Sequence, residues 1–314
     1  MKNELTAIVA AIRSQPWAII PEYLEAIEAM AARAIDDNIL KKIAQDGHVD
    51  TVDAAHMAIA AVGTRLEGTR MSTVRDGVAV VPMIGAIFPR ASMVGASTDG
   101  TSLDAIMRDV RVAEASDDIS RGVLLVDSPG GVVSGLGEAA AALRATSKPW
   151  TAFVTGNCAS AAYWLASQAD EIVMDTSAAI GSIGVVASLS RQETPDANGR
   201  RSYEVVSAGA PLKRPDPSTE EGRAAIQQTV DALEETFIAD VAAGRKVTEA
   251  RVRADFGQGS MLTGPQAIEA GMADRLGTLE ALLSQKSGRT RPKIAVRRAQ
   301  ASAEIETRRA ALEN

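Results

Sequence analysis

The chain has 314 residues, 46% hydrophobic and 23% charged, enough to bury a substantial core within one or two domains. Its net charge of −7 argues against a general nucleic-acid binder, which carries a basic field. Cys158 is the single cysteine; it excludes an internal disulfide and agrees with a reducing compartment.

Residues 1–72 show helical patterning over 5–12, from Pro21 through 34, and over 52–66, as in an assembly arm or a cover for a cleft. The first apolar stretch is too short and too broken by charge to span a bilayer, so no stable membrane insertion is expected. From residue 78, β-type runs (78–87, 122–127, 150–155, 171–175, 183–187, 203–206) alternate with helical runs (103–116, 135–146, 161–168). That alternation predicts an α/β fold with mostly parallel strands. A long helix is expected over 219–243. Beyond residue 285 a basic linker, 287–293, precedes a charged helical pattern to Asn314, either a frayed terminus or a binding tail. The division is therefore an N-terminal helical region (1–72), an α/β domain (73–284) and a linker with a charged helical tail (285–314).

Within the α/β region, Ser160 stands where a β-type run meets an apolar helix, in Ala159-Ser160-Ala161-Ala162-Tyr163. A tight strand-to-helix turn of small residues exposes a hydroxyl beside helix N–H groups, which suits a nucleophile. The plain alternative is a serine that caps a buried helix. A nucleophilic serine needs a base. His48 and His56, the only histidines, lie in the helical N-terminal stretch, and Lys213 in a Gly/Pro-rich loop is the more economical candidate. A lysine serves as base only when neutral, which burial in a closed cleft favours; the alternative is a surface lysine paired with Asp216. Ser182, in Gly181-Ser182-Ile183-Gly184, could orient such an amine. Asp127-Ser128-Pro129-Gly130-Gly131 reads as a strand ending in a Gly-Gly turn whose N–H groups could face a cleft.

These pieces, in this order and followed by Thr263-Gly264-Pro265-Gln266-Ala267 and Gly271-Met272-Ala273-Asp274, resemble the S49 serine peptidases, the family of signal peptide peptidase A and the phage head-maturation proteases. The resemblance runs from about Gly77 to Gly277. It implies a crotonase-like (Clp protease-like) superhelix of ββα units, with Ser160 as nucleophile, Lys213 as general base and Ser182 positioning the lysine. It also implies oxyanion-hole N–H groups from Gly131 and Ala161, and substrate contacts at Gly130 and Val132. Where many members have glycines after the nucleophile, this chain has Ala161 and Ala162, which leaves the backbone donors in place.

The implied activity is serine endopeptidase chemistry without metal or organic cofactor, on small residues beside the scissile bond. The single-length chain without a long apolar anchor points to the phage branch: a cytoplasmic homo-oligomer acting on scaffold and procapsid proteins. Three alternatives stand beside it, a soluble protein-quality-control peptidase, a non-hydrolytic crotonase-like enzyme and an inactive assembly protein.

Overall fold

The computed structural model describes residues 16–21, 23–24, 62–90, 100–189 and 205–285. In chain order they form β1 (Trp17–Ile19), β2 (Thr64–Arg65), β3 (Thr73–Arg75), β4 (Val78–Ile84), β5 (Ala86–Phe88) and β6 (Gly100–Ser102). Then come α1 (Leu103–Ala115), β7 (Arg121–Ser128), β8 (Gly130–Val132), α2 (Leu136–Arg144), β9 (Trp150–Ala159), α3 (Ala161–Ala166), β10 (Glu171–Met174) and β11 (Ala179–Gly181). A 3-10 turn at Pro211–Lys213 precedes α4 (Glu220–Arg245), α5 (Glu249–Asp255), β12 (Met261–Thr263), α6 (Gly264–Ala270), β13 (Arg275–Leu276) and α7 (Leu279–Leu283).

The main sheet runs β12-β11-β9-β7-β4-β3-β2, with β10 and β13 branching from β9. Its centre, β4, β7, β9 and β10, is parallel. These strands are Val- and Leu-rich and nearly continuously buried, as befits a sheet covered on both faces. Successive residues alternate between the two faces. Ala79, Val81, Leu124, Val126, Ala152 and Val154 join the large core under the helices, while Val78, Val80, Val123, Leu125 and Phe153 pack with Leu282 and Leu283 of α7. Helix α1 places Leu103, Ile106, Met107 and Val110 on one buried stripe, the i, i+3, i+4, i+7 spacing of an amphipathic helix.

A second sheet, β1-β8-β5-β6, stands beside the first. Twice a long strand of the main sheet passes directly into a short strand of the second: β4 into β5 across Gly85, and β7 into β8 across Pro129. The expected continuous strand over 78–87 is thus two strands, because Gly85, at φ 71°, turns the chain from one sheet to the other.

Three other expectations change. The strand expected at 150–155 continues to Ala159: its first half pairs with β10 and its last three residues with β11. The strand expected at 183–187 is replaced by Ala179–Gly181, and Val186 makes only an isolated bridge to Trp17. Val205 and Val206 of the run expected at 203–206 are not in a strand, and residues 203–204 fall outside the described ones. Of the helical N-terminal readings, 5–12 lies outside the described residues. So do nearly all of 21–34 and most of 52–66, while Thr64 and Arg65 form β2. The tail after residue 285 also lies outside them. Among the described residues no helix is long and apolar enough to cross a membrane.

Candidate active site

The extension of β9 brings the chain straight to Ser160. Pairing of Asn157, Cys158 and Ala159 with β11 keeps the strand extended until α3 begins, and Ser160 absorbs the change of direction at φ 53°, ψ −116°. A non-glycine residue there costs on the order of 1–3 kcal/mol and persists only when its surroundings over-determine it. Here they do. The Ser160 N–H donates to the Gly181 carbonyl at 2.7 Å, and the Ser160 carbonyl accepts from Trp164 N–H at 2.9 Å. Helix α3 is buried along its whole length. The Trp164 indole stacks on Phe237 of α4 at 4.4 Å and 8°, and its Nε1 donates to Asp240 at 2.9 Å. Arg144 of α2 pairs with the same carboxylate at 3.1 Å.

Ser160 is 1% exposed and stands at the N-cap position of α3, but its hydroxyl makes no cap bond. Its Oγ instead donates to the Gly184 carbonyl at 3.4 Å, a long bond that holds the hydroxyl weakly. Cys158, two residues earlier, is wholly buried. Burial pushes its thiol pKa well up, so it is not a thiolate nucleophile.

Gly130 and Gly131 lie in β8 rather than in a free turn. A Cβ on Gly131 would collide with the Ile87 carbonyl, and one on Gly130, at φ 106°, with the Ala18 carbonyl; glycine is required for backbone to approach backbone this closely. Ser128, fully buried, accepts the Gly130 N–H at 3.2 Å and so orders the glycine pair. Sequence reasoning passed over Ser128, although a serine two residues before a glycine is a known local acceptor. It also passed over Asp127, whose carboxylate accepts Asn157 N–H at 2.9 Å and whose carbonyl accepts Gly85 N–H at 2.9 Å, tying β4, β7 and β9 together beneath the site.

Ser182 directly follows β11 at φ 54°, with its N–H bonded to the Ser260 carbonyl at 3.0 Å. The structure therefore gathers Ser160, Ala161, Gly130, Gly131 and Val132, with Ser182 one residue from the carbonyl that holds Ser160. Lys213 stands apart. It ends the 3-10 turn, is exposed, and lines an open pocket with Val205, Val206, Ser207 and Arg214. Among the described residues no side-chain bond joins it to Ser160, and its side chain is exposed rather than enclosed in a cleft. His48 and His56 lie outside the described residues.

Residues 142–290 match the model of Peptidase family S49, a stretch that contains Ser160, Ser182 and Lys213 but not β8. The chain is 27% identical over 283 residues to the head-tail preconnector protein GP5 of Enterobacteria phage P21, covering 88% of this chain and 56% of that protein. It is 28% identical over 214 residues to the capsid assembly protease C of Escherichia phage lambda, covering 66% and 48%. Protease 4 of Salmonella typhi is 30% identical over 208 residues, covering 63% and 33%. The chain thus spans about half the length of the two phage proteins and a third of protease 4.

Proposed function

Because the chain carries a Peptidase family S49 domain, we propose that it is a serine endopeptidase with Ser160 as nucleophile and Lys213 as general base. The observation that carries this reading is the state of Ser160: buried, held at a strained strand-to-helix junction, with its hydroxyl making no cap bond. The neutral Lys213 amine takes the Ser160 hydroxyl proton as Oγ bonds to the peptide carbonyl carbon. The N–H groups of Gly131 and Ala161 carry the oxyanion. Collapse breaks the C–N bond, and the lysine ammonium returns its proton to the leaving amine. Water then attacks the ester, giving up its proton to the lysine, and the serine leaves with that proton restored. Ser182 orients the amine.

The order long strand, short strand in the second sheet, helix supports the ββα superhelix reading for the domain. The phage relatives support a capsid-maturation role, with scaffold or procapsid proteins as substrates in the cytoplasm of an infected cell. The exposure of Lys213 beside Val205, 96% exposed, and Leu212, 69% exposed, favours a homo-oligomer, since apolar side chains clustered on one loop call for a covering partner. In that assembly the loop reaches a serine. Regions 1–72 and 285–314 are assigned to assembly and targeting.

A fluorophosphonate probe followed by peptide mass spectrometry tests the assignment. Label on Ser160 that is lost in Ser160→Ala is expected; label on another residue, or none under conditions that hydrolyse a small-residue peptide, sinks it.

A further inference from the structure

Strand β1 comes from far upstream of the site, yet it is bonded into it on both edges. On one edge it runs antiparallel to β8 with Ala18 opposite Gly131, flanked by Val133 N–H to Pro16 carbonyl at 3.3 Å and Ile20 N–H to Pro129 carbonyl at 2.9 Å. Bonded pairs in an antiparallel ladder recur at every second residue, so Ala18 and Gly131 form the bonded pair between those two. The Gly131 N–H therefore points at the Ala18 carbonyl. On the other edge Trp17 N–H donates to the Val186 carbonyl at 2.9 Å, and Val186 N–H to the Trp17 carbonyl at 2.8 Å. Val186 lies two residues beyond Gly184, whose carbonyl accepts from Ser160 Oγ. A Cβ on Gly130 would meet the carbonyls of both Ala18 and Ala159, the residue before Ser160.

We propose that residues 16–20 are a built-in pseudosubstrate: an extended segment of the chain that fills the peptide groove beside Ser160 and must leave before another extended peptide can enter. This rests on the peptidase reading for the word substrate, but the occupancy itself does not. A peptide added as a strand gains most of its affinity from main-chain bonds, and β1 already holds those on both edges. The Gly131 N–H has one proton and cannot serve the Ala18 carbonyl and an incoming oxyanion together. Ala18 has a small side chain and is buried in the same apolar cluster as Ala161 and Ala162. The strand is anchored by Trp17 and Ile19 in a small apolar cluster with Leu24, Ala86, Phe88 and Val132, distinct from the main core. Of the strand's residues only Ala18 packs in the main core, so its release takes one small side chain from that core.

The test uses the full chain and Ala18→Pro, which removes an N–H and fixes φ in a strand paired on both edges. A fluorescent synthetic peptide of residues 14–22 is titrated into Ser160→Ala protein with and without Ala18→Pro. Binding at least about tenfold tighter to the double variant is expected, because apparent affinity scales with the open fraction of the groove. In the Ser160-containing protein, Ala18→Pro should lower KM for a small-residue peptide by a similar factor and leave kcat unchanged. Trp17→Ala, which only weakens the anchor, should shift both readouts in the same direction and covers the case in which the proline variant fails to fold. Equal peptide affinity in all proteins overturns the proposal. So does a new N-terminus within residues 17–20 that forms in the wild type but not in Ser160→Ala, since the strand is then a substrate. Tighter peptide binding without any hydrolysis supports the occupancy and sinks the peptidase reading instead.

Discussion

The N–H of Ser160 is bonded to the carbonyl of Gly181 at 2.7 Å, so the proposed nucleophile and the segment bearing Ser182 move as one unit. Strand β11 is in turn held by β12 through the pairs Ala179 with Thr263 and Gly181 with Met261. The geometry around the hydroxyl is thus set from residues about a hundred positions downstream.

Ser160→Ala should lower peptide hydrolysis by at least about a thousandfold while the far-UV spectrum and melting midpoint stay those of the wild type, because one hydroxyl leaves almost no cavity. Cys158→Ala should retain most activity, its thiol being buried and protonated. Steady-state kinetics on a small-residue peptide checks both. Near wild-type hydrolysis by Ser160→Ala removes the nucleophile assignment, and complete loss with Cys158→Ala returns attention to the thiol.

Lys213→Arg should be as inactive as Lys213→Ala, since a guanidinium does not deprotonate in proteins. The contrast between an exposed Lys213 and a buried Ser160 further leads us to expect activity when inactive Ser160→Ala and Lys213→Ala proteins are mixed and reassembled, one copy supplying the serine and its neighbour the lysine. Activity in the arginine variant rules out the base role. Persistent inactivity of the mixture places both groups of each site in one chain.

Phe237→Ala should destabilise the protein by about 3–5 kcal/mol, the usual cost of deleting a buried aromatic ring. Phe237 is fully buried and stacked on Trp164, so the loss falls on the contact that seats α3 against α4. Urea unfolding of the variant measures it. A loss under about 1 kcal/mol would mean that α3 is held chiefly by the Trp164 and Arg144 bonds to Asp240.

Asp274 gives a pH dependence. Burial opposes its ionisation, but hydrogen bonds from Arg245 at 2.8 Å and from Ile172 N–H at 2.7 Å outweigh it and hold its pKa below the ordinary 3.8. A carboxylate with a lowered folded-state pKa stabilises the fold above its unfolded value and ceases to do so as pH falls through the folded one. Asp274→Asn should therefore cost about 1–2 kcal/mol at pH 7, at the low end for a charged bond because solvent reaches the group. The gap from wild type should close below pH 3.8. Urea midpoints across pH 2.5 to 7 check this, and a gap constant with pH assigns the loss to packing instead.

Local pattern was enough to find the strand-to-helix junction at Ser160, the glycine pair and the parallel α/β order, because period-2 and period-3.6 burial and small-residue turns are written in consecutive residues. The alternation did not show where a strand crosses from one sheet to the other at Gly85, since both halves are equally apolar. Nor did it show that β9 continues to Ala159, because the polar Asn157 is admitted to the strand only by its partner β11 and the Asp127 carboxylate.

Sequence by itself supplied the residues proposed to carry the chemistry: a serine among alanines, a Gly-Gly strand, a loop lysine and the order in which they occur. Only tertiary structure decided that the Ser160 hydroxyl makes no cap bond to its helix, that Lys213 is exposed, and that residues 16–20 lie across Gly131. The physical reason is that a residue's type sets what it can bond, whereas the partner it bonds is fixed by chain closure over more than a hundred residues. No local pattern encodes that closure.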